Sequence, residues 1–150
     1  MMKTVKTTIG KIISRFFFLA VLTLMLPSFA QAYTLDIQNP YSSNMVVALI
    51  DFEDNAQKWR CHGWFTVPAN TTKRISIPSA TTKKNIYMYV KTSEASWSGE
   101  GIPSSVVRKV ISEAFKYYDG QVCPDGANRQ EVFFAKYELE DGFMYWAPEE

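Results

Sequence analysis

Histidine is almost missing from this chain: its 150 residues hold one, His62, together with only two cysteines, Cys61 and Cys123. A zinc site needs three or four thiolate or imidazole ligands, so this inventory excludes zinc. A Ser-His-Asp arrangement would have to use His62, and no Gly-x-Ser-x-Gly elbow accompanies it. A Cys–His nucleophile fails on geometry. Cys61 and His62 are neighbours in an alternating segment, and neighbours on a strand point to opposite faces. Long apolar runs are also lacking. The best, "FFFLAVLTLML" from Phe16 to Leu26, falls short of the ~20 residues that a spanning helix requires. There is no internal repeat, no low-complexity tail and no basic stripe to neutralise phosphates, so nucleic acid is excluded as a partner.

What the N-terminus does contain is a leader pattern. Lys3, Lys6, Lys11 and Arg15 precede the apolar run without an acid among them, and Pro27 and "SFAQA" follow it. A positive segment, a short apolar segment and the small-x-small site Ala30-Gln31-Ala32 predict a signal peptide over residues 1–32, cleaved before Tyr33. Arg15 and Lys11 stop the apolar run from being lengthened into a retained anchor, and no cysteine near the site offers a lipid attachment point. The protein is therefore expected to be exported, periplasmic or extracellular, with no stable membrane anchor after cleavage. Cleavage would remove four of the sixteen basic residues and none of the fifteen acids, leaving a net charge of about −3. Residues 33–150 suffice for one domain with its own core. In an exported chain, two cysteines most simply pair. A Cys61–Cys123 disulfide would close a loop of about 62 residues, worth about 4 kcal/mol in the chain-entropy model.

Short strands separated by turns dominate the rest. "YTLDIQN" (33–39) alternates. "NMVVALIDFE" (44–53) is apolar on both faces, as suits a central strand covered on two sides. In "KWRCHGWFTV" (58–67), simple alternation places Trp59, Cys61, Phe65 and Val67 inward and Arg60, His62, Trp64 and Thr66 outward. "KRISIP" puts Ile75 and Ile77 on the core side. "NIYMYVKT" sets Ile86, Met88 and Val90 against Tyr87, Tyr89 and Lys91. "EVFFAKYELE" and "FMYW" flank Asp141-Gly142, a two-residue hairpin signal. "SSVVRKVISEAF" (104–115) is ambiguous, since its apolar residues sit at helical spacing behind a capping Ser104. The expected fold is all-β: an antiparallel β-sandwich or barrel-like single domain with at most one short helix near 104–115.

Three groups remain as candidate sites. Asp119, Asp125 and Asn128 gather hard oxygens in "YYDGQVCPDGANR", with Glu131 just beyond, and give weak calcium candidates without the EF-hand rhythm. The same residues beside glycine are favoured turn formers, so a pinned corner is the rival reading. Glu94, Glu100 and Asp119 offer carboxylates for a hydrolase, though no motif places them together. Trp64, Tyr87 and Tyr89 fall on faces assigned outward, and with Trp97 they are possible ligand-facing aromatics for stacking on sugars or peptides. The alternative is that a second layer covers that face.

"GWFTVP", "WSGEG" and "AFKYYDGQVCPDGANRQEVFF" together are similar to the bacterial family of small exported domains catalogued as domain of unknown function 1036. The likeness spans about residues 34–139, carried by Asn39, Gly63, Trp64, Trp97, Gly99, Gly101 and Cys123. It implies a compact, mostly β domain of the envelope or exterior and turns 104–115 towards strand. It transfers no catalytic or ligand residue. Many members carry a cysteine after the turn that follows the Gly-Trp strand. "VPANTTKRI" has none, so the Cys61–Cys123 pairing rests on this chain alone. The resulting expectation is an exported, non-enzymatic domain without a required cofactor. It would bind an envelope component or a protein, with a glycan-binding module or a carboxylate-dependent hydrolase as alternatives.

Overall fold

The computed structural model describes residues 32–77 and 83–149. The predicted leader therefore lies outside the described residues. The strands are β1 (Tyr33–Asn39), β2 (Met45–Glu53), β3 (Lys58–Val67), β4 (Thr71–Ile77), β5 (Asn85–Lys91), β6 (Ser96–Trp97), β7 (Val106–Val110), β8 (Phe115–Tyr118), β9 (Gln130–Glu138) and β10 (Phe143–Trp146). No helix occurs among the described residues, and the fold is all-β. A three-stranded sheet, β10-β1-β4, stacks on a larger sheet ordered β7-β9-β5-β2-β3-β8, with β6 beside β5. The larger sheet is antiparallel and curls into a half-barrel.

The curl gives the central strands two buried faces, and β2 shows why its sequence is apolar on both. Met45, Val47 and Leu49 enter the core between the sheets, with Leu35 and Ile37 of β1 and Ile86, Met88 and Val90 of β5. Ala48 and Ile50 enter a second core inside the curl, with Cys61, Tyr89, Phe115, Tyr117, Cys123, Val132 and Phe134. Burying each large apolar side chain contributes about 1.5–3 kcal/mol.

Simple alternation breaks on β3. The pairing steps from Val47↔Phe65 to Ala48↔Gly63, which leaves Trp64 as an extra, bulged residue. A bulge reverses the facing of everything beyond it. Trp64 therefore joins Trp59 and Cys61 at the inner core, whereas Phe65 and Val67 pack between the sheets on the side of Arg60 and His62. Gly63 suits the close approach beside it: a Cβ there would stand 3.1 Å from Ala48 Cβ and 3.2 Å from the Phe115 ring, so any side chain would make its neighbours give way.

Residues 104–115 form no helix. Val106–Val110 pair with Phe134–Gln130 of β9, and the chain then bends into β8. The helical spacing arose because Val110 and Ile111 are both buried at a strand end while Val107 faces out opposite Phe133. β-Branched residues beside a waiting partner strand favour the ladder.

The Asp141-Gly142 turn forms with both φ angles positive (50° and 78°) and reciprocal Glu140–Phe143 bonds of 2.9 Å. The hairpin ends at that bridge. β10 leaves β9, crosses to the other sheet and runs parallel to β1, where Met144 and Trp146 are buried.

The ends of the larger sheet meet through side chains. Tyr117 of β8 donates to Lys109 O of β7 at 2.7 Å, and Arg108 pairs with Asp119 at 2.6 Å. Trp64 Nε1 donates to Ile111 O at 2.8 Å, and Arg108 donates to Val107 O at 2.9 Å. Alternate carbonyls along β7 and its extension, those of Val107, Lys109 and Ile111, thus accept from side chains.

Candidate functional site

The bulge sets the site by laying the Trp64 indole across the mouth of the half-barrel. Register pairs Lys91 with Val46 and Val46 with Thr66, making a row across β5, β2 and β3. The next row inward, Tyr89 and Ala48, is sealed within the inner core. The outer row stays open as a depression of about 310 Å³ lined by Val46, Trp64, Thr66, Lys91, Ser112 and Ala114.

Its chemistry is one-sided. Lys91 Nζ lies 4.8 Å from the centroid of the Trp64 ring, a cation–π contact, and no carboxylate pairs with it among the described residues. Ser112 Oγ accepts from Asn128 Nδ2 at 2.9 Å, which leaves its hydroxyl proton to donate. Thr66 adds a second hydroxyl. The lining holds no acid, imidazole or thiol.

A second polar cluster lies deeper, at one end of the inter-sheet core. Asp51 is fully buried in line with Val47 and Leu49. Arg60, its cross-strand partner, grips it through Nε (2.9 Å) and a terminal nitrogen (2.6 Å), and Tyr33 donates to it at 2.7 Å. Arg60 also reaches Glu53 at 3.3 Å, and Tyr118 donates to Glu53 at 2.6 Å. His62 Nε2 stands 3.3 Å from Asp51 Oδ1, outside hydrogen-bond geometry, so its pull is Coulombic and the Arg60 fork is the firmer contact. Burial alone would raise the Asp51 carboxyl, but these cations and donors outweigh it and hold it at about 2. Burial chiefly pushes the Tyr33 hydroxyl up, and the neighbouring carboxylate adds to it. The cluster ties β1 of one sheet to β2 and β3 of the other. His62 is thus not solvent-facing. It is half-buried beneath the smaller sheet, against Asp51 and edge-on to Phe65, on the face opposite Trp64.

Of the four proposed ligand-facing aromatics, only Trp64 lines the depression. Tyr89 is buried between Trp64 and Phe134, and Tyr87 packs edge-on to Trp59, because the curl covers the face assigned outward. Trp97 belongs to the other core, against Tyr41 and Trp146.

The expected disulfide is corrected. Cys61 and Cys123 are both buried in the inner core but are too far apart to bond, and both are free thiols. Burial pushes the Cys61 thiol up to about 12, which removes it as a nucleophile near neutral pH. Arg129 pins the corner "YYDGQVCPDGANR" instead, donating to Cys123 O, Pro124 O and Asp125 Oδ1 at 3.3, 2.7 and 2.5 Å.

The calcium candidates each face a different partner. Asp119 pairs with Arg108, Asp125 with Arg129, and Asn128 donates to Ser112. No group of three or more metal-ligating side chains occurs among the described residues. Glu94 and Glu100 sit in separate turns flanking β6, while Asp119 lies past the end of β8.

Sequence reasoning missed Lys91, Thr66 and Ser112, which carry no motif, and the whole Asp51 cluster. A signal for Asp51 was present: an acid at an inward position of an apolar strand requires a buried partner. Compared with known proteins, the chain significantly matches no family model, no curated protein and no solved structure.

Proposed function

We propose that this chain is an exported, non-enzymatic β domain that binds a component of the cell envelope, and that the depression at Trp64 is its contact surface. The observation that carries this reading is the open row Lys91–Val46–Thr66 with its indole wall, a concave surface edged by hydrogen-bond donors. The sequence pattern of residues 1–32 supports export. The absence of carboxylate, imidazole and thiol from the lining favours binding over hydrolysis.

Two measurements test it. N-terminal sequencing of protein recovered from the periplasm or medium should begin at Tyr33; a chain beginning at Met1 in the cytoplasm overturns export. Titrating the labelled protein with solubilised envelope material should move the amide signals of Val46, Trp64, Thr66, Lys91 and Ser112. Binding that leaves those signals still, or no binding at all, overturns the contact surface.

A further inference from the structure

Resting on that reading, we infer that the depression selects a carboxylate-bearing saccharide, with Lys91 as its specificity-determining residue. The lining supplies three side-chain donors, Lys91, Thr66 and Ser112, and no anionic group. A ligand complementary to it is rich in acceptors and negatively charged. Lys91 is held ready for such a group. Among the described residues its ammonium is balanced only by the Trp64 ring, and an incoming carboxylate replaces that weak partner with a full ion pair. The indole and the methyl groups of Val46 and Ala114 offer an apolar surface for the C–H face of a sugar ring. The space of about 310 Å³ accommodates a short saccharide end, not a long buried chain.

A peptide fits less well. Extended peptides bind by adding a strand to a sheet edge. Along this row β2 lies between β5 and β3, and Lys91 of β5 pairs with Ser96 of β6 on its other side. β8 pairs with β3 only as far as Gly63↔Phe115, and beyond it Thr66 O accepts from Lys73 Nζ at 2.6 Å. In the adjoining loop, Ile111 O is taken by Trp64, and Ser112 N donates to Ala127 O at 2.9 Å. What is left of the β3 edge is the short stretch Trp64–Val67, too little ladder for an added strand, so recognition falls to side chains, as in sugar binding.

The test uses the processed full-length protein and three probes: oligogalacturonate, a neutral oligosaccharide of equal length and a short polyglutamate peptide. Binding is read by Trp fluorescence and by the amide signals around the depression. The acidic sugar should bind at least tenfold more tightly than either of the others, and added salt should weaken it. Lys91→Met keeps the aliphatic stem on the indole and should erase the preference, while Lys136→Met on β9 should preserve it. Thermal melts confirm that both variants fold.

Equal binding of acidic and neutral sugars, or a preference that survives Lys91→Met, overturns the inference and leaves envelope binding standing. Polyglutamate binding as tightly as the acidic sugar overturns the saccharide assignment. Silence of the depression towards every probe overturns the inference too, while envelope binding is still judged by its own titration.

Discussion

Replacing Asp51 with Asn is the sharpest test of how this domain is held together. The substitution keeps the shape and one acceptor for Tyr33 but removes the charge gripped by Arg60, which is itself buried. Arg60 retains its longer contact to Glu53, at 3.3 Å. Breaking a buried pair by removing one partner costs about 3–5 kcal/mol. The retained acceptor and Glu53 place this case near the lower end, about 3 kcal/mol. With a urea slope of about 1.5 kcal/mol/M, the unfolding midpoint should fall by about 2 M.

The double variant Asp51→Leu/Arg60→Met removes both charges and should be clearly more stable than the sum of its single variants predicts. The pH dependence gives an independent reading. The folded Asp51 carboxyl, at about 2, lies below its ordinary 3.8. Its contribution is therefore complete above about pH 4 and is lost as pH falls through 2, amounting to about 2 kcal/mol. Wild type should lose that much more than Asp51→Asn over the interval. A midpoint shift under about 0.3 M in Asp51→Asn, or parallel acid titrations of the two proteins, would refute the buried-pair argument.

Gly63→Ala should destabilise by about 1–3 kcal/mol through overpacking against Ala48 and Phe115, visible as a lower melting temperature; an unchanged melt would contradict the close approach. Both thiols should resist alkylation in the native protein and react fully in denaturant, with no two-hydrogen deficit in the unreduced mass; such a deficit would contradict the free-thiol structure.

The fold was legible wherever period-2 alternation ran unbroken. β1 alternates as expected, β5 keeps Ile86, Met88 and Val90 inward although the curl also covers Tyr87 and Tyr89, and the doubly apolar β2 is the doubly covered centre. Legibility failed where one residue changed the phase. The bulge at Trp64 exchanged the faces of Trp64, Phe65 and Val67, and no local composition marks that insertion. It failed again where distant partners decide. β10 joins β1 across more than a hundred residues, although its turn predicts a local hairpin. The residues that carried the family resemblance are largely architectural here. Asn39 donates to Ser43 O, Val67 O and Pro68 O, Gly63 admits Ala48 and Phe115, and Gly99 lies against Phe134 O and Ala135. Such positions report how the chain is built, whereas the depression depends on Lys91, Thr66 and Ser112, whose types are unremarkable on any surface.

The side-chain bonds along β7 bear on how copies of this protein meet. An end strand offers carbonyls that can template another chain, the usual beginning of sheet-to-sheet aggregation. Here the donors to Lys109 O and Ile111 O come from β8 and β3, at the far end of the strand order, so they approach from the side away from β9. A visiting strand meets acceptors already occupied at every second residue. The indole that walls the depression is one of those caps, so Trp64 guards the strand against edge-to-edge pairing as well as forming the proposed contact surface.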